Sequence, residues 1–492
     1  MKHKWPIVGI VALVVGVVIF GGWRIHDNAR SVWWSGDPHQ ELLGISHGGT
    51  FFNDPAAAGK GQAVVMERIN RIQTKIQQEN DRVAEDGGPY VKVVLLMPLT
   101  VSAGAPSAIT LHQIEHALQG IYTALIRANT TTVYGDHNKL GLQLLLANQG
   151  SRQSSGERLL RKVLEVSEEE HPLVGVIGLG SSVAGTETVV RRLGAEGIPM
   201  VSAITSADTL TGLPNFWSVS PSNVQYSRAL RHYLDARKSL KSAIAVYDRN
   251  PDPYTNSLFT AYQQELRTYL KFPDLSYVGA TIDRVGTPNL FATVVTNLCV
   301  AVNSDDHPLD TVLYAGRGAD FEHFARALKD RPCRSEPLTV LAAATGFAST
   351  TDLLPVLEQA NVKVVYATSA DSESWRGATA GRPGGFPEFA AAHQGHGFPP
   401  ADLRDGMAIA HHDALAVLAA AARLGPAVPT PADIPPAIEN LVLAYAVRGA
   451  SGDLSFPKEE NGRAVDRMIP IKQLGTDVVQ DMPAGFTPYW VT

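Results

Sequence analysis

Cysteine is almost absent: Cys299 and Cys333 are the only two in 492 residues. Outside the cytoplasm such a pair is free to bond, and closing a loop of about 35 residues would add a few kcal/mol of stability. Two buried thiols are the other reading, and the sequence leaves both open. No cysteine lies beside the N-terminal apolar run, which excludes a lipid anchor there. No long Lys/Arg run occurs and the formal net charge is -6, so a nucleic-acid surface is not expected. No unit of about 20–50 residues repeats, which excludes a solenoid. Charged residues make up only 18% against 45% hydrophobic, the balance of a globular chain, and the length allows more than one domain.

One hydrophobic run does stand out. Pro6 to Trp23, "PIVGIVALVVGVVIFGGW", follows Lys2 and Lys4 and has Trp5 and Trp23 at its ends. Roughly eighteen apolar residues suffice to cross a bilayer as a helix, with tryptophans at the interfaces. A cleaved signal peptide needs a small-x-small site, and Gly21-Gly22-Trp23-Arg24 is a poor one. The expectation is an N-terminal transmembrane helix at 6–23 behind a short cytoplasmic N-terminus, 1–5. Lys2 and Lys4 favour that orientation, although Arg24 and Arg30 blunt the bias. The rest of the chain would be extracytoplasmic on a single-pass anchor.

Residues 24–89 read as a juxtamembrane linker. It carries one amphipathic helix, with Val65, Ile69, Ile72 and Ile76 at helical spacing. From Tyr90 the rhythm changes. Apolar strands such as "YVKVVLLMPL", "LGLQLLLANQ", "LVGVIGL" and "IPMVSAI" alternate with helices, the pattern of parallel βαβ units. After "NFWSVSPSN" the rhythm restarts with "SAIAVYD", "LSYVGATI", "DTVLYAG" and "PLTVLAAA". Two α/β units of similar size therefore follow one another. "LRDGMAIAHHDALAVLAAAARLG" reads as a largely buried helix.

The stretch "VGVIGLGSSVAGTE", Val174–Glu187, places a glycine-serine loop between a strand and a helix. Three kinds of site use that arrangement. A dinucleotide loop needs a third glycine, where Val183 stands. A serine-hydrolase elbow needs a closing glycine, where Ala184 stands, and no motif fixes a histidine beside Ser182. A ligand-holding loop needs backbone N–H groups and hydroxyls at a helix start. One strand later, "VSAITSADTL" again puts Ser202, Thr205 and Ser206 just past a strand end, on the same sheet edge. Paired loops favour a binding site, although either alone is explained by helix capping. His393 and His396 are three apart, and His411 and His412 adjacent, so a helix would point the latter two about 100° apart. They read as surface or capping groups, and no metal and no cofactor is expected.

Taken together, "VVLLMPLT", "GVIGLGSS", "EGIPMVSAITSADTL", "FWSVSPSN", "AIAVYDRNPDPY", "VLYAGRGAD", "HHDALAVLAAAARL" and "RGASGDLSF" occur in an order that resembles the type 1 periplasmic binding proteins. The class resembled is the branched-chain amino-acid (Leu/Ile/Val) substrate-binding proteins of ABC transporters, over about Tyr90–Leu474. The resemblance implies an α/β fold of two Rossmann-like lobes joined by three crossovers, with an interlobe cleft. It assigns 90–221 plus 347–445 to lobe 1, 222–346 plus 446–474 to lobe 2, and leaves 475–492 as a tail. It implies a non-enzymatic protein that binds a small-molecule ligand and closes by a hinge, with an ABC permease as partner. Carried over by position, Ser181 or Ser182 would meet a ligand carboxylate. Ile204, Thr205 and Ser206 would hold carboxylate and amino group, Tyr254 would close from lobe 2, and Arg317 would stand at the cleft. Thr100 and Ser102 could line the same space. The acid that holds an α-amino group in that class should follow "VLAAAT", but Gly346, Phe347, Ala348 and Ser349 stand there. The same fold used as a sensor or scaffold, with a degenerate cleft, is the alternative.

Overall fold

The computed structural model describes residues 31–36, 40–46, 49–102, 107, 109–154, 156–279, 290–343, 353–378, 381–476, 479–480, 482–483 and 485–491. The expected membrane helix at 6–23 and the Gly346–Ser349 position lie outside them. Among the described residues one helix, Met407–Leu424, is long and apolar enough to cross a membrane, and it is buried inside a lobe.

Lobe 1 forms from β1 (Val32–Trp34), β2 (Leu42–Ser46), α1 (Lys60–Glu85), β3 (Tyr90–Met97), α2 (Leu111–Thr130), β4 (Gly141–Asn148), α3 (Gly156–Ser167), β5 (Leu173–Gly178), α4 (Ala184–Ala195), β6 (Met200–Ser202) and β7 (Phe216–Ser218). The sheet runs β1-β2-β4-β3-β5-β6-β7. From β4 to β7 all pairs are parallel, while β2 adds to β4 antiparallel. β3 and β5 are buried along nearly their whole length, as central parallel strands with helices on both faces must be.

Lobe 2 forms from α5 (Asn223–Ala236), β8 (Ala243–Asp248), α6 (Pro253–Glu265), β9 (Leu275–Tyr277), α7 (Ala292–Val302), β10 (Thr311–Ala315), α8 (Gly318–Lys329), β11 (Leu338–Ala343), α9 (Leu354–Gln359) and β12 (Val362–Ala367). Cys299 on α7 is bonded to Cys333 in the loop after α8, with 5.5 Å between their Cα atoms. The chain then returns through α10 (Ser372–Gly377), α11 (Phe386–Gly395), α12 (Met407–Leu424) and α13 (Ile434–Glu439). It ends with β13 (Val447–Arg448), β14 (Gly452–Ser455), β15 (Val465–Ile469), β16 (Ile471–Gln473) and β17 (Tyr489–Val491). The second sheet runs β16-β12-β11-β10-β8-β9, and a third runs β13-β14-β15-β17.

Four expected boundaries move. Residues 446–464 belong to lobe 1, not lobe 2, because Val447, Leu454, Phe456 and Ala464 join its core. Residues 32–85 are no linker: β1 and β2 extend the lobe 1 sheet, and α1 buries Val65, Ile69, Ile72 and Ile76 in the lobe 1 core. Residues 353–367 belong to lobe 2, not lobe 1, because β12 pairs with β11 and Leu353 and Leu357 join that lobe's core. The tail contributes β17, which pairs with β15. Close packing inside lobe 1 depends on Gly120 of α2, where a Cβ would stand 1.9 Å from the Ala408 carbonyl oxygen of α12.

The chain crosses between lobes near Val219–Ser222, near Thr368–Asp371 and again within β15. Arg467 of β15 joins all three crossings. Its guanidinium donates to the Val219 carbonyl and, at 2.8 Å, to the Ser369 carbonyl. Arg463, also buried, donates to the carbonyls of Thr205 at 2.7 Å and Ala207 at 2.8 Å. Burial pushes its pKa down to about 10, so it stays charged at neutral pH.

Candidate functional site

The loop after β5 turns through three successive left-handed residues, Gly178 (φ +89°), Leu179 (φ +65°) and Gly180 (φ +67°). A Cβ at Gly180 would meet Gln153 Oε1 at 2.6 Å, and one at Gly178 would meet Leu95 Cδ1 at 2.7 Å. Protein atoms therefore fill the space over both glycines. That accounts for them without a pyrophosphate.

Past this turn, Ser181 and Ser182 diverge. Ser181 is fastened to lobe 1: its N–H donates to Gln153 Oε1 at 2.9 Å, and its carbonyl accepts from Gln153 Nε2 at 3.1 Å and Thr186 Oγ1 at 2.6 Å. Ser182 is buried and faces the next loop. Its Oγ accepts from the N–H groups of Ser206 at 3.1 Å and Ala207 at 3.2 Å. No imidazole among the described residues bonds to it. The histidines of α12 point into lobe 1 instead. His412 meets Arg127, Tyr134 and Asp413, and His411 donates to the Met407 carbonyl.

Across the cleft, Arg317 stands just before α8 and its side chain reaches lobe 1. One of its Nη2 bonds goes to the Ser182 carbonyl at 2.8 Å. Asp252 takes the others, at 2.7 Å from Nη2 and 2.9 Å from Nε. The guanidinium lies 5.4 Å from the centre of the Tyr254 ring, and the Tyr254 hydroxyl donates to the Ala343 carbonyl at 2.5 Å. Burial, only partly offset by Arg317, holds the phenol well above its ordinary pKa, so it stays a neutral donor. A second bridge joins the lobes where Ser257 of α6 donates to Asp208 Oδ2 at 2.7 Å and accepts from the Asp208 N–H at 2.8 Å.

Ser182, Ser206, Tyr254 and Arg317 are thus brought together. The remaining sequence candidates are not. Thr205 turns inward, with its Oγ1 2.6 Å from Ser202 Oγ. Ile204 packs on the lobe 1 core. Thr100 donates to the buried Glu41 at 2.5 Å, and Glu41 also takes the Ser151 hydroxyl at 2.8 Å. Ser102 contacts Ser107 through its N–H. Sequence reading missed Asp252, Asp208, Ser257 and Glu41. Asp252 had a usable signal, since an acid before proline marks a helix N-cap, and its carboxylate does cap α6. Glu41 had none, because its partners lie 59 and 110 residues away.

No protein-family model and no curated protein matches the sequence. Solved structures do match. A leucine-binding protein of Thermotoga maritima superposes with a TM-score of 0.58 at 15% identity, covering 80% of this chain and 98% of that one. This chain has the fold of the leucine-type substrate-binding proteins of ABC transporters. A Thermus thermophilus branched-chain amino-acid transporter protein with bound valine matches at 0.58, with 14% identity over 82% of this chain and 97% of its own. A solute-binding protein of Rhodopseudomonas palustris BisB5 in complex with 3,4-dihydroxybenzoic acid matches at 0.57, with 15% identity over 82% and 98%. Ser182, Ser206 and Arg317 stand in the loops just after the C-terminal ends of β5, β6 and β10.

Proposed function

We propose that this protein is an extracytoplasmic solute-binding protein that holds a small anionic ligand between its lobes and performs no chemistry on it. We further propose an ABC permease as its partner and residues 6–23 as its membrane anchor. One observation carries the ligand class: the paired N–H groups of Ser206 and Ala207 lie beside Ser182, whose carbonyl bonds the Arg317 guanidinium. Those N–H groups now serve a neutral hydroxyl. A carboxylate is the stronger acceptor and would displace Ser182 Oγ, while Arg317 supplies the cation. Arg317 is itself paired with Asp252, so a ligand carboxylate would share the guanidinium with that acid. The sequence places no acid at 346–349, so monocarboxylates without an α-amino group are the class we favour.

The test is a thermal-shift panel of benzoates, aliphatic acids, amino acids and short peptides on the full chain. A true ligand at 100 times its Kd stabilises by about 2.7 kcal/mol. Arg317→Ala should shrink the shift, as a roughly 10–100-fold weaker Kd requires. Membrane fractionation of the full chain tests the anchor independently.

The second reading is a sensor or scaffold with the same fold. It is favoured by the two direct interlobe bridges, which close the cleft with protein atoms alone. A panel without a hit, together with a radius of gyration that no solute changes, would select it.

A further inference from the structure

The first turns of α2 read His112-Gln113-Ile114-Glu115-His116. Residues four apart share a helix face, so the two imidazoles stand together, with ring centres 6.2 Å apart. Glu115 lies between them, its Oε2 3.7 Å from His112 Nδ1. One donor atom from each of the three lies within 4.8 Å of the others. A fourth donor comes from far along the chain: Asp402 Oδ1 is 3.7 Å from His116 Nε2.

We propose that His112, His116 and Asp402, with Glu115 beside them, hold a divalent transition-metal ion of the zinc class on the outer side of α2. Imidazole nitrogen and carboxylate oxygen are zinc donors, and tetrahedral bonds near 2.0–2.1 Å set neighbouring donors about 3.3 Å apart. The donors must close in from these separations, and the side chain of His112 is 64% exposed and able to turn toward the others.

The surroundings are already those of a ligand set. His116 Nδ1 donates to Asp405 Oδ2 at 2.7 Å, which leaves Nε2 bare and turned toward Asp402. Asp405 is itself fixed, its other oxygen accepting from the Met407 N–H at 3.0 Å. Asp402 is held by Gln119 Nε2 at 2.9 Å, and Gln119 in turn meets His393 at 3.2 Å. Charge points the same way: Glu115, Asp402 and Asp405 face one guanidinium, that of Arg68, which clasps both Glu115 oxygens. With neutral imidazoles this leaves a deficit of two positive charges. A proton is the rival occupant. Burial lowers the His116 pKa, but Asp405, Asp402 and Glu115 outweigh it and hold it above its ordinary value.

The order His-x-x-Glu-His also occurs in a class of zinc peptidases, where the glutamate acts on water. Arg68 occupies both oxygens of Glu115, so the geometry points to metal holding and not to hydrolysis. Bound metal would staple α2 to the turn Pro400–Leu403, nearly 300 residues away in the chain.

The test uses untagged full-length protein stripped with chelator and dialysed against micromolar Zn2+ or Co2+ at pH 7.5. One ion per chain is expected, with the visible absorption of low-symmetry Co2+. His112→Ala, an exposed change that leaves the core intact, should weaken binding at least tenfold. His116→Ala should abolish it, and Asp405→Asn should weaken it roughly 10–100-fold through the imidazole it orients. His396→Ala should leave it unchanged. No bound ion at micromolar metal, or an unchanged metal affinity in the His112→Ala protein, overturns the proposal.

Discussion

His411 is fully buried on α12 with its Nδ1 2.9 Å from the Met407 carbonyl. Burial drives its pKa down to about 4, against the weaker opposing pulls of that carbonyl and Asp405. Its neighbour His412 is lowered for the same reason, with Asp413 opposing. In the unfolded chain both return to an ordinary pKa near 6.5. The unfolded state therefore binds more protons as pH falls through 6.5, and the stability from neutral burial is lost between there and the folded pKa. For His411 the loss totals about 3 kcal/mol at pH 4. Urea denaturation at pH 7 and pH 5 should show the midpoint falling on acidification, and His411→Gln should flatten that slope. An unchanged slope in the variant would mean that other groups dominate. Arg317 is the residue-scale test of the cleft. Arg317→Ala removes the guanidinium that joins Ser182 to Asp252 and should weaken any carboxylate ligand by 1.5–3 kcal/mol, about 10–100-fold.

Helix α1 carries the clearest lesson at the level of elements. Its spacing of Val65, Ile69, Ile72 and Ile76 was readable as an amphipathic face, and those four side chains are buried, along with Gln73, Glu79, Asn80 and Val83. What they bury against was not readable, because the partners are α2 and β4, far along the chain. Ile72→Ala should cost about 2–5 kcal/mol, and a chain begun after α1 should aggregate when refolded, having lost one cover of its sheet. β1, β2 and β17 escaped sequence reading for a different reason. Each has three to five residues, too short for a periodic signal, and acquires its conformation from a neighbouring strand. The central strands were legible because burial on both faces makes them continuous apolar runs. Cys299 and Cys333 close a loop across α8. Replacing both with serine should lower the stability of the full chain by about 3–4 kcal/mol, read as a reduced denaturation midpoint without reductant.

At the scale of the whole molecule, the alternation of strands and helices was enough to indicate two lobes. The loop motifs placed Ser182 and Ser206 on one edge, and that much of the cleft was legible. The bridges were not, since Arg317–Ser182 and Ser257–Asp208 join groups from different lobes whose pairing depends on how far the lobes have rotated. Breaking both with Arg317→Ala and Ser257→Ala should open the molecule, seen as a larger radius of gyration in solution scattering. No change would assign closure to packing at the crossings.

Those crossings meet at one side chain. Arg467 is fastened to carbonyls on the first and second passages while belonging to the third. Three flexible straps tied at a common knot do not slide past one another. Such a tie would oppose shear and extension and leave rotation about the knot as the softer coordinate. A ligand's binding energy would then be spent along a single angle.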